Sequence, residues 1–279
     1  MIKSLRLGYS PCPNDTFIFF ALAEGRIDLA PYRFEISLAD VEILNQQARQ
    51  CILDISKVSI SAVLHLLKDY CLLRSGGAIG RGCGPLIVAR QGLAVQELRD
   101  KLIAIPGKLT TAHLLLQMAE LHQRSCVAMP FDRIMQAVWE GEVDAGVIIH
   151  EGRFTYEAMG LHRVLDLGEW WESETGLPLP LGGILIRRNL GAETGRFLEE
   201  KIRESLLYAK AHPKEAMPYV KTYAQEMAPE VVDQHIEMFV NEFSLDVGEE
   251  GERAIRFLLE AAAKQLGQSL PPISIFWDG

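Results

Sequence analysis

A histidine, a threonine pair and a lysine–serine segment stand where short apolar runs end, and their side chains suit proton transfer or the binding of a polar ligand. His150 directly follows the apolar residues 146–149. If that run is a parallel strand, His150 lies at its carboxyl end, where open α/β sheets place their ligands. An imidazole with an ordinary pKa near ~6.5 takes up and returns protons close to neutrality. The plainer role for such a residue is to close a strand and bond to backbone.

Thr110, Thr111 and Ala112 follow another apolar run, residues 102–105, and the turn Pro106-Gly107-Lys108. This spacing predicts a helix N-terminus, whose free N–H groups and positive dipole end suit an anionic ligand group. Helix capping is the commoner use of threonine there. Lys57, Val58 and Ser59 close a strand and open a helix, so the Ser59 hydroxyl and amide are expected to face the same cleft from the other side. Ser59 as a simple cap and Lys57 as a solvated charge remain the competing reading. Asn45, on the preceding helix, is within reach of the cleft or equally a surface amide. The loop at residues 10–15, Ser10-Pro11-Cys12-Pro13-Asn14-Asp15, follows the first strand. Ser10 and Asn14 are candidates to shape the pocket, and Asn14 or Asp15 is expected to cap the next helix.

The elements that position these residues alternate. Strand-like segments at residues 3–8, 32–38 and 52–55 are separated by helical ones at 16–24, 41–48 and 59–70. After a glycine-rich stretch at 76–84 the order resumes: strands at 85–89, 102–105, 126–129 and 144–149, and helices at 95–101, 111–122 and 132–140. Repeated βα units with short apolar strands predict an α/β fold with largely parallel sheets covered on both faces. From residue 193 onward the chain is mainly helical, at 196–212, 229–243 and 249–266, after a last strand at 183–186. That distribution predicts one lobe inserted into another. The first lobe comprises 1–88 and 183–279, the second 89–182, and the two crossings form a hinge beside a ligand cleft.

Composition narrows the functional classes. The 279 residues include 48% hydrophobic and 23% charged residues, as in ordinary globular proteins. Lys and Arg number 28 against 37 Asp and Glu, a formal charge of −9 that disfavours nucleic acid as a partner. No stretch approaches the ~18 apolar residues of a membrane helix. Five cysteines, Cys12, Cys51, Cys71, Cys83 and Cys126, form no Cys-x-x-Cys pair, and residues 1–8 enter a strand pattern without a signal-peptide core. A cytoplasmic protein is expected. The glycines at 76, 77, 80, 82 and 84 lack the Lys-Ser/Thr ending of a phosphate loop and are assigned to a hairpin and hinge. His65, His113, His122, His162, His212 and His235 show no metal-ligand spacing. Trp170 and Trp171 are assigned to packing. The tail at 271–279 docks either on its own lobe or on a second subunit.

Two lobes joined by two β crossovers resemble the type II periplasmic-binding-protein architecture, and Gly141-Glu142-Val143-Asp144-Ala145-Gly146-Val147-Ile148 is a phrase characteristic of that group. A more specific segment, Gly8-Tyr9-Ser10-Pro11-Cys12-Pro13-Asn14-Asp15-Thr16-Phe17, resembles the N-terminal signature of the 1,4-dihydroxy-6-naphthoate synthases of the futalosine route to menaquinone. Asp54-Ile55-Ser56-Lys57-Val58-Ser59, then Thr110-Thr111-Ala112, then Ile148-Ile149-His150-Glu151 match that family in order.

The resemblance implies a carbon–carbon lyase that converts cyclic dehypoxanthine futalosine to 1,4-dihydroxy-6-naphthoate without a redox cofactor or metal. It places the family's general base at His150. The implied substrate carries a carboxylate, expected at Thr111 and Ala112, and sugar-derived hydroxyls, expected near Lys57, Val58 and Ser59. A non-catalytic solute receptor on the same fold and the related chorismate dehydratase of the pathway are the alternatives. The sequence carries no indication of oligomeric state.

Overall fold

The computed structural model describes residues 3–121, 126–224 and 228–277. The chain runs through β1 (Lys3–Tyr9), α1 (Pro13–Ala23), β2 (Tyr32–Leu38), α2 (Val41–Arg49), β3 (Ile55–Ser59), the single turn α3 (Ile60–Val63), β4 (Tyr70–Leu72) and β5 (Ala78–Gly80). It continues through β6 (Leu86–Ala89), a 3-10 segment (Val95–Asp100), β7 (Ile103–Ile105), α4 (Thr111–Met118), β8 (Val127–Ala128), α5 (Phe131–Glu140), β9 (Ala145–Ile148), the turn α6 (Gly152–Thr155), β10 (His162–Asp166) and α7 (Leu167–Thr175). Then come β11 (Leu179–Arg187), α8 (Ala192–Ala211), α9 (Pro213–Tyr223), α10 (Pro229–Phe239), the turn α11 (Glu242–Leu245) and α12 (Gly248–Gln265).

Two sheets result. The first has the order β2-β1-β3-β11-β4, with β5 also paired to β11. The second has the order β10-β6-β9-β7-β8. The chain passes from the first sheet to the second between Gly80 and Leu86 and returns between Thr175 and Leu179. Both sheets are mixed, not largely parallel as expected. β1 is parallel to β2 and β3, but β11 is antiparallel to β3, β4 and β5. In the second sheet β6 is antiparallel to both β9 and β10, while β7 is parallel to β8 and β9. The strands that enter and leave the second sheet run against their neighbours, an arrangement that counting βα units does not reveal.

Helix α1 shows why the first sheet holds together. Every residue from Pro13 to Leu22 is buried, because α1 packs against α8, α9 and α10. A helix apolar nearly all round is stable only inside a protein. Phe17, Ile18, Phe19 and Phe20 anchor it, and each such side chain contributes roughly 1.5–3 kcal/mol when fully buried. Helix α12 instead buries one stripe, Ala254, Ile255, Leu258, Leu259, Ala262 and Ala263, at the i, i+3/i+4 spacing of an amphipathic helix. A continuous hydrophobic cluster runs from α3 and β4 through α12 and Trp171 to Ile87, Ile103 and Val147 of the second sheet.

Several elements differ from expectation. Residues 59–70 form only α3 and turns before β4, since Tyr70 to Leu72 pair with β11. Residues 95–101 wind as a 3-10 segment, and the strand expected at 126–129 is reduced to β8. The helix expected over 111–122 ends at Met118, and His122 lies outside the described residues. The strand at 52–55 begins at Ile55, and β5, β10 and α9 were not anticipated. The capping site of α1 is Cys12 with no side-chain cap, followed by Pro13, so neither Asn14 nor Asp15 caps it. Asp40 does cap α2, accepting from the Glu42 amide.

The tail docks on its own chain. Leu72 N donates to Ile275 O (2.8 Å) and Trp277 N to Leu72 O (2.8 Å), which extends the first sheet beyond β4. Residues 278–279 lie outside the described part. No helix among the described residues is long and apolar enough to cross a membrane.

Candidate functional site

Ser10 and the first turn of α1 meet Lys57 of β3 in a buried polar network. Lys57 Nζ pairs with Asp15 Oδ1 at 2.8 Å, with the two side chains only 5% and 3% exposed. Lys57 also donates to Gly76 O (2.9 Å). Lys57 is thus a buried partner and not the solvated charge considered above. Asp15 accepts from Ser10 Oγ (2.7 Å) through Oδ2 and from Asn14 Nδ2 (2.9 Å) through Oδ1. The carboxylate is therefore saturated by neighbours, as a charge removed from water requires.

His150 lies two residues past β9 with φ of 55°, a left-handed conformation uncommon for a residue with a side chain. Such conformations cost about 1–3 kcal/mol and cluster at functional positions. Its Nδ1 is 3.4 Å from Cys12 Sγ, and the Phe131 ring packs edge-on at 4.9 Å. Part of the residue is open to solvent, but Nε2 is buried without a hydrogen-bond partner. Burial pushes the pKa down to about 4; Asp15 acts upward and Lys57 downward. The imidazole is therefore neutral at physiological pH. Burial likewise raises the Cys12 thiol, with Glu151 adding to the effect.

A second imidazole lies alongside. His235 of α10 is 1% exposed, and its ring stacks on that of His150 with centroids 6.2 Å apart. Its Nε2 is 3.0 Å from Asn14 Oδ1, while Nδ1 is buried without a partner. Burial lowers its pKa well below the ordinary value, with His150 acting in the same direction.

Across the cleft, Thr110 caps α4, its side chain accepting from His113 N at 3.3 Å. The Thr111 hydroxyl donates to Leu181 O (2.9 Å) on β11 and accepts from Ser61 N (3.3 Å). It therefore ties α4 to the first sheet. Ser59 N donates to Asn45 Oδ1 (2.9 Å), and Ser59 Oγ accepts from Asn45 Nδ2 (3.2 Å). The Ser59 amide is thus occupied by Asn45. Arg153 pairs with Asp166 (2.6 Å) and donates to Gly84 O (2.6 Å), pinning the loop where the chain enters the second sheet.

These groups surround one cleft, and such concave sites are where small molecules bind. Ser10, Asn14, Lys57, Val58, Ser59, Thr111, Ala112 and His150 all line it. Asn45 does not; it is completely buried behind Ser59. His113 is also absent from the lining and its Nδ1 lies 3.0 Å from Lys108 O. Trp171 is core, donating to Pro178 O. The glycine stretch contributes Gly84 to the wall, and Arg153 and His235 are lining residues not singled out from sequence. His235 falls on the buried stripe Val232, His235, Phe239 of α10. That helical spacing of a histidine among apolar residues is the signal that marks it.

Among the described residues one set of donors is close enough to hold a metal ion: Cys12, His150 and Glu151, with ligand atoms within 4.8 Å of one another. Burial raises the Cys12 thiol, so a metal bound there would have to displace its proton.

Residues 5–264 match the family described as menaquinone biosynthesis. The chain is 51% identical to a 1,4-dihydroxy-6-naphthoate synthase of Thermus thermophilus, over 97% of this chain and 98% of the relative. It is 47% identical to the synthase of the same name from Streptomyces coelicolor, over 96% of each. Among solved structures, protein AF1704 of Archaeoglobus fulgidus superposes with a TM-score of 0.88 at 37% identity, covering 95% of this chain and 98% of that one. The alkanesulfonate-binding protein SsuA of Xanthomonas axonopodis pv. citri superposes with a TM-score of 0.71 at 16% identity, covering 98% of both chains. That likeness identifies the fold as periplasmic-binding-protein-like.

Proposed function

The chain belongs to the menaquinone biosynthesis family, and from that premise we propose that it converts cyclic dehypoxanthine futalosine to 1,4-dihydroxy-6-naphthoate as a carbon–carbon lyase. The observation that carries the mechanism is the buried, unpartnered Nε2 of His150 at the wall of the cleft.

The mechanism requires the tautomer with Nδ1–H toward the Cys12 sulfur, 3.4 Å away, which leaves the lone pair on Nε2 as the general base. The substrate lies between the sheets, its carboxylate toward the N-terminus of α4 at Thr111 and Ala112 and its sugar-derived hydroxyls toward Lys57, Val58 and Ser59. Because the Thr111 hydroxyl already bridges to Leu181 and Ser61, the carboxylate is received chiefly by backbone N–H groups and the helix dipole. Ser10 and Asn14 act indirectly by holding Asp15 against Lys57.

His150 abstracts a proton, the furanose-derived ring opens, a retro-aldol cleavage releases a three-carbon fragment while the naphthalene ring becomes aromatic, and the imidazolium returns its proton to the products. Aromatisation supplies the thermodynamic drive. The protein contributes positioning and proton transfer, the latter typically worth ~10²–10⁴-fold. Incubating the purified protein separately with cyclic dehypoxanthine futalosine and with chorismate tests the reading. Formation of 1,4-dihydroxy-6-naphthoate from the first alone supports it. Dehydration of chorismate, or tight binding of either compound without turnover, overturns it.

A further inference from the structure

His235 and Asn14 join the cleft in a way that the general-base reading of His150 does not use. Asn14 can present either its oxygen or its NH₂ to a neighbour, and the structure determines which. The Asp15 carboxylate, paired with Lys57, offers only acceptors, so the Asn14 NH₂ faces it at 2.9 Å. Asn14 Oδ1 is then left facing His235 Nε2 at 3.0 Å, and an oxygen acceptor there demands Nε2–H. A neutral imidazole carries one ring proton. Nδ1 therefore holds a lone pair, and it is buried without a partner in a side chain that lines the cleft.

We propose that His235 is a specificity-determining residue whose Nδ1 accepts a hydrogen bond from a hydroxyl of the ligand, in a tautomer locked by the Lys57–Asp15–Asn14 chain. The proposal rests on the reaction assigned above and adds a recognition element to it. A buried lone pair favours a hydroxyl donor and repels a carboxylate. His235 thus orients the ligand by excluding its anionic end, which is directed to α4. The two imidazoles divide the work: Nε2 of His150 moves the proton, and Nδ1 of His235 reads a hydroxyl. The Phe239 ring, with its centroid 4.7 Å from that of His235, and the His150 ring, at 6.2 Å, pack beside it.

The tautomer is read directly from nitrogen-15 NMR of the uniformly labelled full-length protein, with His235→Asn identifying the signal. The expected spectrum has a protonated Nε2 and an unprotonated Nδ1, and cyclic dehypoxanthine futalosine shifts the Nδ1 resonance in the direction of hydrogen-bond acceptance. A protonated Nδ1, or an Nδ1 resonance unmoved by that compound at saturation, overturns the proposal. Kinetics provide a second test: His235→Phe is expected to raise KM about tenfold, the scale of a lost buried hydrogen bond. The acid limb of the pH profile, set by His150, should stay where it is. His235→Asn, which keeps an acceptor near the Nδ1 position, should recover most of the loss. A folded His235→Phe with wild-type KM on a substrate that the wild type converts sinks this proposal alone. A wild type that neither binds nor converts the compound sinks the assigned reaction instead.

Discussion

Lys57 Nζ lies 2.8 Å from Asp15 Oδ1 with both side chains almost entirely removed from solvent, and this pair joins the end of β3 to the start of α1 at the floor of the cleft. Deleting one member of a buried ion pair strands the other charge, at a cost of about 3–5 kcal/mol. Lys57→Met is expected to lower stability by that amount, measured as a fall in the urea midpoint at unchanged slope. Lys57→Met combined with Asp15→Asn removes both charges and should regain a large part of the loss. Equal destabilisation in the single and double variants would show that the charge itself is not what matters.

Stability should also depend on pH through His150. Its folded pKa of about 4 lies below the unfolded value of ~6.5, so between those limits the unfolded chain binds more protons. The stabilisation is complete above pH ~6.5 and is lost as pH falls toward 4, by about 3 kcal/mol for a 2.5-unit shift. His235, lowered in the same direction, adds to the slope. Urea unfolding at a series of pH values should therefore show a steep decline on the acid side. His150→Phe should flatten that decline, and an unaltered slope in the variant would contradict the assignment.

Thr111 links α4 to the first sheet through Leu181 O and Ser61 N. Thr111→Val keeps the volume but leaves both backbone groups without this partner, which costs about 1–3 kcal/mol when such groups are buried. The variant is expected to unfold at lower urea and to raise KM several-fold, because the helix start loses its tie to the opposite wall. A drop in kcat alone, with KM and stability at wild-type values, would count against this linking role.

Gly84 and Gly168 meet where the chain enters the second sheet. A Cβ on Gly84 would lie 2.3 Å from the Gly168 backbone, which cannot swing aside as a side chain would. Overpacking of this kind costs about 1–3 kcal/mol, and Gly84→Ala should also disturb Arg153, which donates to Gly84 O. The check is the urea midpoint alongside kcat/KM. Wild-type values for both would mean that the backbone relaxes without consequence.

The parts of this site legible in the sequence are those built from local signals. His150 after an apolar run, Thr110 at a helix start and Asp40 as a cap all depend on neighbours within a few residues, and the structure places them accordingly. The mixed sheets were not legible, because β11 and β6 pair with strands far away in the chain and the direction of a returning strand leaves no local trace. The same holds for partners. Lys57 and Asp15 are 42 positions apart, and Asn14 and His235 are separated by 221. Periodicity marked α10 as amphipathic, yet nothing in it says that the buried face of that helix meets the first turn of α1. Asn45 illustrates the converse: residue type suggested a ligand contact, and packing instead placed it behind Ser59, where it holds the backbone that faces the cleft.

Replacement of His150 is the most direct test of the chemistry. His150→Ala removes the ring whose unpartnered Nε2 faces the cleft beside Cys12, and loss of a positioned general base typically costs ~10²–10⁴ in rate. The reduction is expected in kcat, with KM for cyclic dehypoxanthine futalosine changed only a few-fold, since the binding groups at α4 and β3 remain. Wild-type kcat/KM should be level through neutral pH and decline as the imidazole protonates on the acid side. An alanine variant within a few-fold of wild-type kcat at saturating substrate would remove His150 from the mechanism, and the left-handed backbone at residue 150 would then need another explanation.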